Sequence, residues 1–279
     1  MAQTINTNVM ALTAQRNLER SQSSMMTAME RLSSGLRVNS AKDDAAGLAI
    51  AERMNTQVRG MQVAMRNAND GISLSQVAEG GLNEVGNMMQ RMRELAVQSA
   101  NGTNSASDRD NLNEEYQALA AEITRIGRTT AFNGVKVIGS GAGTFSFQVG
   151  ANAGEQLRVS TTNTASNAAI ASAVAASISG ASTTGISNAT AAIVALDDAI
   201  DAVTTARARY GAVQSRFESA INNLQIGVEN QSAARGRIVD ADFAVETAKL
   251  TRSQILQQAG NAMIAQANSA PQSVLQLLG

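Results

Sequence analysis

Apolar residues recur in a strict 4-3 alternation late in the chain. Ile193, Leu196, Ile200, Val203, Arg207, Tyr210, Gln214, Phe217, Ile221, Leu224 and Val228 follow it, with polar side chains at only Arg207 and Gln214. That spacing puts one stripe along a helix and calls for partner helices to cover it. At 1.5 Å per residue the rod is roughly 50 Å long, too exposed to be stable alone. The first half supplies the cover. Val58, Met61, Met65, Ala68 and Ile72 keep the spacing, and Leu82, Val85, Met89, Met92 and Ala96 resume it with a small phase drift. After a break at Asn101-Gly102 comes a shorter helix with Leu112, Tyr116, Leu119, Ile123 and Ile126 on its apolar face. Ser107 with Asp110 predicts the capped start of that helix, and Gly127 its end.

Both chain ends carry weaker seams. Leu18, Gln22, Met25, Met29, Leu32 and Leu36 form one; Val245, Ala248, Arg252, Ile255, Ala259, Ala262 and Gln266 form the other. They predict a marginal coiled coil that pairs the N- and C-terminal helices and frays in an isolated chain. Between the halves the period drops to two. TFSFQV at 144–149 and QLRVS at 156–160 flank the turn-rich GANAGE and predict a hairpin, and Asn133-Gly134 marks a second turn. No charged residue separates Arg158 from Asp197, and 161–187 reads as a short connector or surface excursion, with Ile170, Val174 and Ile178 on a possible short helix. The fold expected is mainly α: a long-helix coiled-coil bundle with a small β-hairpin region and paired terminal helices. Its parts are 1–44 with 236–279, the terminal coiled coil; 45–160 with 188–235, the inner bundle; and the connector 161–187.

Composition removes most catalytic chemistry. The 279 residues include no histidine and no cysteine, so zinc sites of the usual kind, Ser-His-Asp triads and disulfides are unavailable. Charges nearly cancel, 22 Lys and Arg against 23 Asp and Glu, which is not the basic footprint of a nucleic-acid binder. No apolar run is long enough to span a membrane, and the start, MAQTINTNVM, lacks the pattern of a cleavable secretory signal. One proline and 3% aromatics suit long aliphatic helices. The reading is a protein that is not an enzyme and needs no cofactor or metal.

LSSGLRVNSAKDDAAGLAI, residues 32–50, holds the densest charged cluster outside the seams. No phosphate-loop spacing accompanies it, and its polar residues read as helix punctuation. Gly35 stops one helix in a left-handed conformation, Ser40 caps the next, and Asp43 and Asp44 favour its positive end. Gly35, Arg37, Lys42, Asp43 and Asp44 together form an inter-domain connector. The methionines at helical spacing read as core packing. In QRMRELAVQSANGT, Arg91 and Leu95 share a helix face at i, i+4. The terminal SVLQLLG puts four apolar residues at a chain end, which predicts burial in an assembly.

MAQTINTNVMAL, LSSGLRVNSAKDDAAGLAIAERM, RNANDGISLSQVAEGGLNEV, MRELAVQSANGTNS, FNGVKV and SVLQLL together resemble bacterial flagellin, the subunit of the flagellar filament. The resemblance covers roughly 1–160 and 188–279. It implies a core-only form of a structural, self-assembling subunit that drives swimming motility as part of a helical homopolymer outside the cell. The alternative within the same apparatus is a hook–filament junction protein. In the family the paired ends line the filament's central channel, and the inner bundle forms the tube around it. The chain ends' seams, Leu18, Met25, Met29, Leu32, Leu36, Val245, Ala248, Ile255, Ala259 and Ala262, are then assembly seams. The implied partners are other copies, the type III flagellar export apparatus and a chaperone, filament cap and hook-junction proteins, and host innate immune receptors, with neither nucleic acid nor membrane insertion. A toll-like receptor would read Arg91, Leu95 and Glu115. Intracellular sensors would read Val274, Leu275, Leu277 and Leu278, where the final Gly279 departs from the arginine of many relatives.

Overall fold

The computed structural model describes residues 7–164 and 166–276, with side chains to Ser269. In chain order the elements are α1 (Val9–Ser34), α2 (Ala45–Ser99), α3 (Ala106–Thr129), β1 (Ala131–Phe132), β2 (Val135–Lys136), β3 (Thr144–Gln148) and β4 (Gln156–Ser160). They are followed by α4 (Ala168–Ala175), α5 (Ser182–Val239) and α6 (Phe243–Gln276). They form two compact units: Gln57–Val228, and the remainder, from both ends up to Thr56 and from Glu229.

In the first unit α2, α3 and α5 share one core. Leu82, Val85, Met89, Met92 and Ala96 of α2 meet Tyr116 and Ile123 of α3 and Leu196, Val203, Tyr210 and Phe217 of α5. Every position of the 4-3 stripe from Ile193 to Val228 is buried or half-buried, as a seam covered by partner helices must be. Arg93 ties α2 to α5 through Asp197, with Nε donating at 2.6 Å to Oδ1. The two apolar runs of the first half, 58–72 and 82–96, are one uninterrupted helix. The drift between them is the helix rotating its buried face along its partners.

β3 and β4 pair antiparallel, Phe145 opposite Val159 and Phe147 opposite Leu157. Leu157 and Val159 are buried, so the alternation expected of a half-buried hairpin holds. β1 and β2 are joined through Asn133 and Gly134, both at positive φ (49° and 78°), the conformation that a two-residue Asn-Gly hairpin turn demands.

Three local expectations are corrected. α3 is capped by Ser105, not Ser107: Ser105 Oγ accepts from Asp108 N–H at 3.2 Å, and Asp108 Oδ2 accepts from Ser105 N–H at 2.9 Å. The Ser-x-x-Asp signature occurs in two overlapping registers. The earlier one turns Arg109 inward, where Nε and Nη2 donate to the carbonyls of Ser99 and Asn101 and close the end of α2. Gly127 does not end α3, which continues to Thr129. It is buried, and a Cβ there would stand 2.7 Å from Thr164 Oγ1, so the glycine allows that close approach. Residues 161–187 are no loose excursion. Ile170, Ala173 and Ile178 are buried in the common core, and Tyr116 Oη donates to the Ala173 carbonyl at 2.7 Å. Ser99 Oγ donates to the Ile178 carbonyl, and Tyr210 Oη accepts from Thr162 N–H. Burial pushes the Tyr116 phenol up to about 12, so it stays a hydrogen-bond donor at any ordinary pH.

In the second unit α1 lies antiparallel to α6. Gly35 ends α1 at φ 72° with its N–H donating to the Arg31 carbonyl, the left-handed cap its position predicts. The chain then bridges Leu36 to Asp240, and Arg37 N–H donates to the Val239 carbonyl at 2.7 Å. Arg37 Nη2 reaches the Ile238 carbonyl at 2.6 Å. This bridge ties the segment after α1 to the end of α5 within the unit.

Candidate functional site

Two surfaces carry the functional expectations: the paired terminal helices with their connector, and the outer side of α2.

On α1 the residues turned toward its partner are Ala11, Ala14, Leu18, Ser21, Met25, Ala28 and Leu32, again at 3-4 spacing. Opposite them on α6 stand Glu246, Leu250, Ser253, Gln257, Gly260, Ile264 and Ala267. Leu18 Cδ1 lies 3.2 Å from where a Cβ on Gly260 would be, so the glycine allows close helix approach. Asn8 anchors the far end, its Nδ2 donating to the Ala267 carbonyl at 2.8 Å.

The near end is held by a carboxylate. Glu246, 5% exposed at its side chain, accepts from Lys249 Nζ at 2.7 Å and pairs with Arg31 of α1 at 3.3 Å. The Lys249 hydrogen bond, then the Lys249 charge and the Arg31 contacts, hold it below its ordinary value against the opposing effect of burial. A carboxylate lowered in the folded state contributes stability above its unfolded pKa of about 4.3, and that stability is lost as pH falls through the folded value. We therefore expect α1–α6 pairing to weaken as acid protonates Glu246. Glu246→Gln should weaken pairing at pH 7 and flatten its dependence below about pH 5. Helix content from circular dichroism across pH checks this; an unchanged acid response in the variant would remove Glu246 from the account.

Leu18, Met25 and Leu32 therefore serve the α1–α6 seam, and Leu36 is half-buried at the bridge. Met29 does not: it is 47% exposed. On α6 the expected stripe is the wrong one for pairing within the chain. Val245, Ala248, Ile255, Ala259 and Ala262 are all exposed, Ile255 at 60%. The actual seam carries a glutamate, a serine, a glutamine and a glycine, so counting apolar residues selected the neighbouring face. Sequence reasoning missed Arg31, Glu246 and Gly260; the distant charge match between Arg31 and Glu246 was the signal available.

Outward from the seam the pair remains apolar. Val9, Met10, Leu12, Met26 and Met29 of α1 and Phe243, Val245, Ile255, Leu256 and Met263 of α6 are exposed. A groove of about 700 Å³ runs between the helices, its walls including Val9, Met10, Leu18, Leu256 and Met263.

In the connector, Asp44 and not Ser40 caps α2: Asp44 Oδ1 accepts from Gly47 N–H at 2.8 Å. Asp43 closes the turn before it, accepting from Ser40 N–H and Ser40 Oγ, both at 2.9 Å. Those bonds, the backbone one first, lower its pKa. Lys42 is exposed. The two aspartates are thus committed to backbone geometry.

On α2, Arg91 is exposed and forked between two carboxylates: Nη1 donates to Glu94 at 2.9 Å and Nε to Glu115 of α3 at 2.9 Å. Its pKa is raised by those hydrogen bonds, Glu94 first. Leu95 does not share that surface. It is 1% exposed and part of the core, because the buried face of α2 has rotated onto residues 92, 95, 96 and 99. Val274 and Leu275 lie in α6 beyond the described side chains, and Leu277 and Leu278 lie outside the described residues. Among the described residues no group of three His, Cys, Asp or Glu side chains could hold a metal, and no helix is long and apolar enough to cross a membrane.

Two family models match the chain. The bacterial flagellin N-terminal helical region matches residues 5–141, and the bacterial flagellin C-terminal helical region matches 193–278. A curated flagellin of Halalkalibacterium halodurans is 48% identical over 98% of this chain and 99% of its own length. The chain belongs to the flagellin family. Flagellin D of Vibrio anguillarum is 37% identical over 377 aligned positions, covering all of both chains. That alignment is longer than this flagellin's 279 residues, as expected of a short, core-only member. A putative flagellar hook-associated protein of Vibrio parahaemolyticus shares the fold with a TM-score of 0.58 at 15% identity, over 71% of this chain and 100% of that one. At that identity the likeness concerns fold only, and the hook–filament junction alternative is not favoured.

Proposed function

We propose that this flagellin, a structural subunit of the bacterial flagellar filament, assembles by burying the outward apolar faces of α1 and α6 against neighbouring copies. One observation carries the reading. Of the seventeen large hydrophobic side chains exposed among the described residues, ten lie on α1 and α6. Exposed apolar side chains concentrated on one helix pair call for a partner, and a helical homopolymer supplies identical ones. In this reading Val245, Ala248, Ile255, Ala259, Ala262 and Met29 are assembly seams between subunits, whereas Leu18, Met25 and Leu32 are seams within one. The terminal pair is, in this reading, the channel-lining domain, and the inner bundle forms the outer tube of the filament core. Export proceeds as an unfolded chain through the type III apparatus with a chaperone, and filament cap and hook-junction proteins guide incorporation. Purified monomer added to short filament seeds should elongate them into filaments visible by electron microscopy. Seeds that stay short at any subunit concentration would overturn the reading.

Host recognition is a second reading, favoured by the exposed Arg91–Glu115 pair. The toll-like receptor contact then falls to these two residues, with Leu95 packing the helix from beneath. Arg91→Ala should lower monomer signalling by about thirtyfold, the loss that marks a hot spot of about 2 kcal/mol, with unchanged melting. A dose–response in receptor-expressing cells tests it; an unshifted curve would withdraw the assignment. The C-terminal Val274, Leu275, Leu277 and Leu278 remain the proposed contact for intracellular sensors.

A further inference from the structure

The methionines of this chain are sorted by exposure in a way that packing does not require. Met89 and Met92 are fully buried in the inner core, and Met25, Met54, Met61, Met65 and Met88 are half-buried. The described methionines that stand exposed are Met10 (69%), Met26 (59%), Met29 (47%) and Met263 (62%), all on α1 and α6. Met10 and Met263 line the groove between those helices. Leucine would give the same apolar area without an oxidisable sulfur.

We propose that Met10, Met26, Met29 and Met263 are oxidation sites that render the unassembled subunit redox-sensitive. The reactant is a peroxide. A lone pair of the thioether sulfur attacks one oxygen of hydrogen peroxide, an S–O bond forms as the O–O bond breaks, and the departing hydroxide takes the proton from the sulfur-bound OH to leave as water. Sulfur loses two electrons and the peroxide gains them. The product, a sulfoxide, is polar and chiral where the side chain had been flexible and apolar, a change that disrupts methionine-rich contacts. Four such changes on the α1–α6 pair oppose its burial against another copy, because each sulfoxide oxygen must then be desolvated. Burial on assembly shields the same sulfurs, so the filament is resistant where the monomer is not. The sulfoxide is reversible by a thiol-dependent sulfoxide reductase, which makes the change a block on incorporation rather than permanent damage. This inference rests on the assembly surface proposed above.

The test exposes monomer to graded hydrogen peroxide, follows each methionine by peptide mass spectrometry, and measures elongation of untreated seeds. Met10, Met26, Met29 and Met263 should oxidise before Met89 and Met92, and elongation should fall by more than about tenfold while inner-bundle melting is retained. Sulfoxide reductase should restore elongation in step with reduction of those four residues. A variant with all four replaced by leucine, a volume-conserving change, should elongate seeds after peroxide treatment. Undiminished elongation by monomer oxidised at the four sites would overturn the proposal. So would recovery that follows reduction of other methionines. Failure of untreated monomer to elongate seeds would instead overturn the assembly reading itself.

Discussion

Replacing Phe217 by alanine is expected to cost the inner unit about 3–5 kcal/mol, the range for deleting a fully buried phenylalanine. Phe217 is wholly buried. Its ring meets that of Phe147 edge-on, with centroids 5.6 Å apart and planes at 89°, and so joins α5 to the hairpin. On α2, Gly71 leaves the space the ring needs: a Cβ there would come within 2.8 and 2.9 Å of Cε2 and Cε1. Three elements therefore converge on one side chain. Against a domain stability of about 5–15 kcal/mol, the variant should unfold at clearly lower denaturant concentration. Chemical unfolding followed by circular dichroism measures this; a loss below about 1 kcal/mol would mean the ring is not the joint described.

Ile255→Asp is expected to leave the monomer's melting unchanged while abolishing elongation of filament seeds. The side chain is 60% exposed, and surface substitutions of that kind shift stability by about 0.5 kcal/mol or less. The proposed filament contact covers the same position, and an unpaired carboxylate removed from water costs several kcal/mol. Every subunit of the homopolymer repeats that cost, so the loss is all or none. Ile255→Leu should elongate seeds as wild type does. Light scattering after seeding reads both variants, with differential scanning calorimetry as the control. Elongation by Ile255→Asp at the wild-type rate would place the contact elsewhere.

The inner bundle was legible because its seams are long and nearly pure: from Ile193 to Val228 two polar positions did not hide the period, and each position is covered. The alternation of Phe145, Phe147, Leu157 and Val159 was equally plain. Less legible were features fixed by contacts far apart in sequence. The cap at Ser105 overlaps an equally good signature at Ser107, and only the inward turn of Arg109 toward Ser99 and Asn101 selects between them. Residues 161–187 look featureless because their anchors, Tyr116, Asn113, Ser99 and Tyr210, lie in other elements. The terminal pair misled by its own composition. In α6 the apolar stripe through Val245, Ile255 and Ala262 faces away from α1, while Glu246, Ser253, Gln257 and Gly260 line the pairing. A helix that must satisfy one partner within the chain and others in an assembly carries two faces, and hydrophobic counting finds the stronger. Leu95 shows the converse: i, i+4 spacing from Arg91 predicted a shared face, but rotation of α2's buried stripe placed it inside.

The central claim is that the outward faces of α1 and α6 are covered only in the filament. Amide hydrogen exchange of monomer and filament, compared residue by residue, tests it most directly. Residues 9–34 and 243–269 should exchange at least about a hundredfold more slowly in the filament, a difference of roughly 3 kcal/mol in opening free energy, while the 85–96 segment of α2 stays equally protected in both. Equal protection of α1 and α6 in monomer and filament would contradict the account.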